Sequence, residues 1–297
     1  MLKLSKQASQ ICSNAVMVTG SARSGTTIMG KLIHSFRQVE YAYEPPMLFT
    51  LFSLIEKLNR EEWCLLYETY LYEEFMLGAL AGRAINCNKS DDSSIYRVKN
   101  PQEIEDRLQN SLGKSDAEEQ ARLHRLAFKL PDVVPFISML VERYPAMKVV
   151  VMLREAIDTL NSLMKKKWFS HENNNNALIW PFREYQGVHV PFWVKEEDDS
   201  IWAELNELDR AAYYYVRVNE NVDEIKGRIE VKYSKLLENP YEVAENLAAL
   251  LGVSFGKMTE EIIAEIKPTS AIKDEKILES ITPEYKEKVK YYSERSL

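Results

Sequence analysis

An α/β fold, a three-layer sandwich with a mostly parallel central sheet, is what this 297-residue sequence predicts. Three observations carry the prediction. Residues 16–20, Val-Met-Val-Thr-Gly, read as a short apolar strand. It runs through a Gly-bracketed turn into Ile28-Met29-Gly30-Lys31-Leu32-Ile33, a continuation suited to a buried helix. Residues 148–153, Lys-Val-Val-Val-Met-Leu, are a continuous apolar run, the pattern of a strand buried on both faces of a parallel sheet. With 45% hydrophobic residues the chain can bury a full core.

The first turn has the spacing Gly20-x-x-x-x-Gly25 followed by Thr26 and Thr27. A strand, a glycine-rich loop and a helix N-terminus in that order form a phosphate cradle built from backbone N–H groups. Ser21, Ala22, Arg23, Ser24, Gly25, Thr26 and Thr27 are therefore candidate nucleotide contacts. Thr26 stands where an ATPase or kinase loop carries the Lys that reaches the β and γ phosphates, and the nearest cation is Arg23, inside the loop. A Gly/Ser/Thr turn after a strand is often only a turn. The unbroken order of strand, loop and helix favours anion binding, and the missing Lys points to a nucleotide handled without ordinary ATP chemistry.

In residues 41–46, Tyr-Ala-Tyr-Glu-Pro-Pro, the two prolines fix an extended exit that holds Glu44 at a strand end. Residues 47–85 read as one or two helices rich in Leu, Phe, Tyr and Met. Residues 86–120 are polar and acidic, with Ser-Asp-Asp-Ser-Ser at 90–94, and suggest an exposed connection. The central strands return at 125–154. The second of them ends on Arg154, where an Asp would hold Mg²⁺; a cation there suits a bound phosphate and gives a metal no ligand. Ser162 lies eight positions on (162 − 154). A wholly helical segment would set it about 12 Å along the axis, too far for one phosphate. A turn before the helix would let Arg154 and Ser162 meet on a single anion. A surface salt bridge is the plainer use of Arg154.

From 165 to 199 the pattern breaks into Lys-Lys-Lys at 165–167, four Asn at 173–176, and the aromatics Trp168, Trp180, Phe182, Tyr185, Phe192 and Trp193. Two readings stand side by side. Residues 165–200 form a partly mobile lid whose rings stack on an acceptor, or the rings fill a small satellite core beside a solvated Lys run. Residues 202–222 look helical again.

Composition narrows the function classes. A formal net charge of −7 argues against nonspecific nucleic-acid binding, which needs an extended basic face. Cys12, Cys64 and Cys87 are odd in number and lack metal spacing, which suits reduced thiols in the cytoplasm. The N-terminus has no long apolar run and no segment approaches a membrane span, so a cytoplasmic protein without an integral membrane segment is expected. His34, His124, His171 and His189 show no Ser/His/Asp or metal spacing.

Arg-Ser-Gly-Thr-Thr at 23–27, after a strand, resembles the 5′-phosphosulfate-binding loop of sulfotransferases that use 3′-phosphoadenosine 5′-phosphosulfate (PAPS). Cytosolic aryl and steroid members usually carry Lys at the Arg23 position; many bacterial, carbohydrate and tyrosylprotein members carry Arg. Residues 151–162, Val-Met-Leu-Arg-Glu-Ala-Ile-Asp-Thr-Leu-Asn-Ser, resemble the family's 3′-phosphate-binding element, in which the strand-end Arg and the later Ser grip the 3′-phosphate. Phe-Lys-Leu-Pro at 128–131 looks like the Lys-x-Pro segment of bacterial and carbohydrate members. Lys99-Asn100-Pro101 has the same pattern, but an acidic polar segment follows it, so Lys129 is preferred. Residues 231–240 resemble the family's strand and Tyr-x-x-Leu-Leu turn, which puts Tyr233 beside the cofactor. Thr269 and Ser270 match only weakly the C-terminal loop that covers the nucleotide.

Tyr-Glu-Pro at 43–45 resembles the Glu-Pro segment after the first helix of several carbohydrate sulfotransferases. An alcohol attacking a sulfuryl group must lose its proton, and a carboxylate within reach can take it. An exposed Glu before a turn is the bland alternative. Aryl and steroid members use a His base in the segment corresponding to residues 129–131; Lys-Leu-Pro stands there, which transfers the duty to Glu44.

The resemblance covers most of the chain. It implies one sulfotransferase domain over 1–297, a P-loop-like nucleotide-binding core, acceptor-side helices at about 47–85, and PAPS across the carboxyl ends of the strands. It implies transfer of a sulfuryl group to a hydroxyl of a small-molecule, lipid, glycan or peptide acceptor, with release of 3′-phosphoadenosine 5′-phosphate (PAP) and no metal. Arg23 and the loop amides would neutralise the phosphosulfate, Lys129 would assist at the transferring group, and Glu44 would be the base. Acceptor identity and oligomeric state stay open. So do two rivals: a small-molecule P-loop kinase, which lacks here both the Lys after Gly25 and an acidic strand end, and a noncatalytic nucleotide-binding protein.

Overall fold

The computed structural model describes residues 2–109, 112–170, 180–267 and 274–296. Its strands are β1 (Val16–Gly20), β2 (Val39–Tyr43), β3 (Arg125–Lys129), β4 (Lys148–Leu153), β5 (Phe182–Tyr185), β6 (Val188–Pro191) and β7 (Ile229–Lys232). Five of them form a parallel sheet in the order β2-β3-β1-β4-β7, while β5 and β6 make a separate antiparallel pair. Every residue of β1 is buried, as are all but the first of β4. These strands lack polar alternation because both of their faces are covered.

The helices in the first half are α1 (Lys6–Ser13), α2 (Thr26–Ser35), α3 (Pro46–Ser53), α4 (Arg60–Glu68), α5 (Leu77–Leu80), α6 (Pro101–Gln109) and α7 (Lys114–Ala121). Those in the second half are α8 (Ile137–Arg143), α9 (Ala156–Lys166), α10 (Asp199–Glu204), α11 (Glu207–Glu220), α12 (Tyr233–Glu238), α13 (Pro240–Leu251), α14 (Thr259–Glu265) and α15 (Pro283–Arg295). Alternate sheet residues feed two separate apolar clusters. Met17, Phe128, Val149 and Val151 pack with Leu48 of α3, Trp63 of α4, Leu160 of α9 and Tyr214 of α11. Val16, Val18, Ala127 and Val150 pack with Leu32 of α2, Leu236 of α12, Leu247 of α13 and Ile262 of α14. Helices on both faces of a parallel sheet make the three layers that the sequence predicts.

Residues 47–80 form α3, α4, a π-helical stretch at Thr69–Met76 and then α5. The helix expected at 202–222 is interrupted at Leu205-Asn206, where the Asn206 side chain caps α11 by accepting from the Asp209 amide.

The stretch at 86–120 differs from the exposed connection its polarity suggests. It contains α6 and α7, and Ile95, Val98, Lys99 and Ile104 are buried. Its charges are used in pairing: Arg107 of α6 donates to both oxygens of Glu40 on edge strand β2, at 2.7 and 2.8 Å. Burial alone would raise the Glu40 carboxyl, but the Arg107 guanidinium outweighs it and holds the group at about 2. No described helix is long and apolar enough to cross a membrane.

Candidate functional site

Because the main sheet is parallel, the carboxyl ends of β1, β2, β3 and β4 lie along one edge, and the loops leaving them meet there. The loop after β1 turns through positive φ at Gly20 (135°), Arg23 (70°) and Gly25 (98°) before α2 begins. A Cβ at Gly20 would stand 2.5 Å from the Met152 carbonyl oxygen, and one at Gly25 would stand 2.5 Å from the Tyr233 ring. Both positions therefore need glycine for space as well as for φ. Gly25 caps α2 with no side chain, which leaves the first amides of that helix open to a ligand. The Ser24 hydroxyl is buried among the loop residues without a hydrogen-bond partner.

Past the end of β4, residues 154–155 turn before α9 starts at Ala156, so Ser162 sits in the second helical turn. Arg154 Nη1 donates to the Arg23 carbonyl at 2.7 Å, and Nη2 lies 3.3 Å from Asp158 Oδ2. Its guanidinium stands 4.4 Å over the Tyr233 ring, and its Nε is buried without a partner. Arg23 Nε donates to Ser162 Oγ at 2.9 Å, with the guanidinium 5.8 Å from the Trp168 ring. The structure thus joins two segments that the sequence presents separately. Arg23, expected over the first phosphate site, reaches across to Ser162 of the second.

Glu44 follows β2 at φ 44°, its amide donating to the Lys129 carbonyl at 3.1 Å. Pro45 is extended and Pro46 opens α3, where a missing N–H costs nothing. Lys129, at the end of β3, is buried. Its ammonium lies 2.6 Å from Glu44 Oε1, donates to Thr27 Oγ1 at 3.0 Å, and stands 4.1 Å over the Tyr43 ring. The Lys129 ammonium therefore bridges the carboxylate expected to be the base and a threonine at the start of α2.

Asp132, three residues after Lys129, belongs to the same cluster. Its carboxylate accepts a hydrogen bond from the Tyr214 hydroxyl of α11, and that hydroxyl accepts from the Ala22 amide in the loop after β1. Burial pushes the Asp132 carboxyl up to about 7; Glu44's charge adds to this, while Tyr214, Lys129 and the Ala22 amide oppose it. An Asp after Lys-x-Pro reads locally as a turn residue, and its backbone at φ 72° is indeed left-handed. Arg23, Glu44 and Asp132 are thus three non-glycine residues with strained backbone converging on one site, where such strain tends to collect.

Other expected residues fall elsewhere. Tyr233 opens α12 directly after β7, between Arg154 and Gly25. Thr269 and Ser270 lie outside the described residues. Lys99 is buried at the opposite edge of the sheet and donates to the Phe36 carbonyl at 3.0 Å. Of the aromatics at 168–193, Phe192 stacks on Phe136 and Trp193 packs between Trp202 and Tyr214, both within the core, whereas Trp180 and Phe182 are exposed. Among the described residues, no group of three or more His, Cys, Asp or Glu is placed to hold a metal.

A family profile described as "Sulfotransferase family" matches residues 15–257. Among solved structures the chain is similar to the sulfotransferase domain from the curacin biosynthetic pathway, with 14% identity, 95% of each chain covered and a TM-score of 0.46. It is also similar to the sulfotransferase domain from the Synechococcus PCC 7002 olefin synthase, at 14% identity over 93% of this chain and 86% of that one, TM-score 0.43. A third is the sulfotransferase from Alicyclobacillus acidocaldarius, at 14% identity over 94% of each chain, TM-score 0.43. No curated protein matches the chain significantly.

Proposed function

The chain belongs to the sulfotransferase family, and from that premise we propose that it moves a sulfuryl group from PAPS to the hydroxyl of a small-molecule, lipid, glycan or peptide acceptor and releases PAP. The observation that carries this reading is the convergence, at one sheet edge, of the residue 20–25 loop, the Arg154–Ser162 element and the Lys129–Glu44 pair. The residues present suit an anionic nucleotide. Ser24 Oγ and Arg154 Nε are buried without partners, and the first turn of α2 has no side-chain cap. Such groups are usually satisfied, so each is an opening for a phosphate oxygen.

In this reading the loop residues Ser21, Ala22, Ser24, Gly25, Thr26 and Thr27 hold the 5′-phosphosulfate. Arg154 and Ser162 hold the 3′-phosphate, Tyr233 lines the cradle beneath Arg154, and Arg23 spans the two anionic groups. Thr269 and Ser270 are assigned to the nucleotide from the family resemblance alone. Glu44 takes the acceptor's proton as its oxygen bonds to sulfur and the bond from sulfur to the 5′-phosphate oxygen breaks. Lys129 sits between Glu44 and Thr27, so its charge reaches the oxygen that leaves without first having to be moved into place. Positioning and charge stabilisation supply most of the rate. Residues 165–200 act as the acceptor-side lid. Three free cysteines suit a cytoplasmic location.

Titrating PAP into magnesium-free protein tests the donor assignment. A hundredfold excess over the dissociation constant stabilises the fold by about 2.7 kcal/mol through mass action. A melting curve unchanged at millimolar PAP would overturn the assignment. Turnover of radiolabelled PAPS against a panel of hydroxyl acceptors separates an enzyme from a passive binder.

A further inference from the structure

At the amino ends of β2 and β3, the edge opposite the nucleotide cradle, two adjoining clefts of about 820 and 690 Å³ share Arg37, Gln38 and His124. They lie beyond the far end of α2, whose ten residues separate them from Gly25 by about 15 Å. The chain as a whole carries a net charge of −7. These clefts are nonetheless lined by the cations Arg37, Lys99, Arg107, Arg122, Arg125 and Lys257 against two carboxylates, Glu103 and Asp106.

The pairing of those cations is uneven. Among the described residues only Arg107 meets carboxylates, those of Glu40 and Glu103. Arg122 donates to the Gln7 side-chain oxygen at 2.8 Å and Arg125 to the Asn14 carbonyl at 2.9 Å. Among the described residues the Arg37 and Lys257 side chains make no hydrogen bond or ion pair. Lys99 is the most telling. It is only 4% exposed, and its ammonium, with three donors, has one hydrogen bond among the described residues, to the Phe36 carbonyl. Burial pushes its pKa down, with Glu40 and Glu103 partly opposing from a distance. A buried ammonium with so little compensation is costly unless a ligand or solvent supplies the missing acceptors. Lys99 heads the second Lys-x-Pro triplet, Lys99-Asn100-Pro101, which the sulfuryl-transfer site leaves unused.

The larger cleft also has an apolar floor. Phe36 and Phe255 stack at 5.8 Å with ring planes 6° apart, beside Val98 and Met258. A concave site of this volume, mostly apolar with a few convergent polar groups, suits a small molecule. The net charge of the whole chain disfavours a nucleic acid.

We propose that the larger cleft binds a small organic anion, a phosphate or sulfate monoester, with its charged head on Arg37, Lys99 and Lys257 and its apolar body on the Phe255 ring, which the buried Phe36 backs. The site is separate from the donor cradle and does not depend on the donor's identity.

Phenyl phosphate, phenyl sulfate and inorganic phosphate, titrated separately by calorimetry at constant ionic strength, test the proposal. At least one phenyl ester is expected to bind one to one, and several-fold more tightly than inorganic phosphate. The Arg37→Ala/Lys257→Ala double variant loses no partner among the described residues, should melt as the wild type does, and should bind at least tenfold more weakly. An Arg23→Ala/Arg154→Ala variant, which disables the donor cradle, should keep this binding. Undiminished affinity in the first variant, loss of binding in the second, or no preference for the phenyl esters over inorganic phosphate would each overturn the assignment.

Discussion

Replacing Arg154 by alanine probes the nucleotide reading where the structure concentrates its contacts. Three interactions disappear whichever nucleotide is bound. The charged hydrogen bond to the Arg23 carbonyl at 2.7 Å is worth about 1.5–3 kcal/mol. The contact over Tyr233 at 4.4 Å contributes about 0.5–2 kcal/mol. The pair with Asp158, four residues on, adds about 0.2–1 kcal/mol. These losses loosen the loop and weaken every ligand of the cradle alike. A further loss applies only to a nucleotide with a 3′-phosphate, because the buried, unpartnered Nε and the guanidinium charge are free to meet one. A charge-assisted bond of about 1.5–3 kcal/mol corresponds to roughly 10- to 150-fold in affinity. Calorimetry with PAP and with adenosine 5′-monophosphate, on wild type and Arg154→Ala, separates the two parts. The monophosphate reports the shared damage, and PAP should lose a further 10- to 150-fold, an estimate that follows from the same bond strength. Equal losses for the two ligands would show that Arg154 only braces the loop, and the 3′-phosphate assignment would fall.

Glu44→Gln keeps size and hydrogen bonding but removes basicity; single-turnover transfer should slow by about 10²–10⁴ while PAP affinity stays within a few fold, and an unchanged rate would place the base elsewhere. Asp132 has a folded-state pKa of about 7, above its ordinary 3.8, so the native state holds a proton that the unfolded chain releases as pH rises through that window. Its contribution to stability therefore falls between about pH 4 and 7, and Asp132→Asn should gain on wild type in urea melts at pH 8 relative to pH 5. A constant difference between the two proteins would contradict that environment. Glu40 has the opposite sign: its folded value of about 2 lies below the ordinary 4.5, so its stabilisation is present above pH 4.5 and lost as pH falls toward 2. Glu40→Gln removes the bidentate partner of Arg107 and leaves it only Glu103. It should cost about 1.5–3 kcal/mol in chemical denaturation at pH 7 and less at pH 3, and a cost independent of pH would argue against the pair.

Much of the cradle is legible in the sequence because its constraints are local. Gly20 and Gly25 bracket a loop whose φ values of 135° and 98° only glycine adopts readily, and β1 and β4 announce themselves by lacking alternation. The spacing of Arg154 and Ser162 leaves two geometries open, one continuous helix or a turn followed by a helix. The structure adopts the turn at 154–155, which brings both residues onto Arg23.

The Asp132–Tyr214–Ala22 bridge joins residues 82 and 192 positions apart, and the Glu40–Arg107 clamp spans 67. Neither leaves a periodic trace, and the polar composition of residues 86–120 gives no hint that α6 will seal the edge of β2. Local patterning records which face of a strand or helix must be hidden from water and which turns need glycine, since those costs fall on neighbouring residues. Which distant carboxylate meets which hydroxyl or guanidinium depends on how helices settle on the two faces of the sheet. That is decided by the packing of whole surfaces, so only the assembled tertiary structure determined that Asp132 would join Lys129 and Glu44 at one edge.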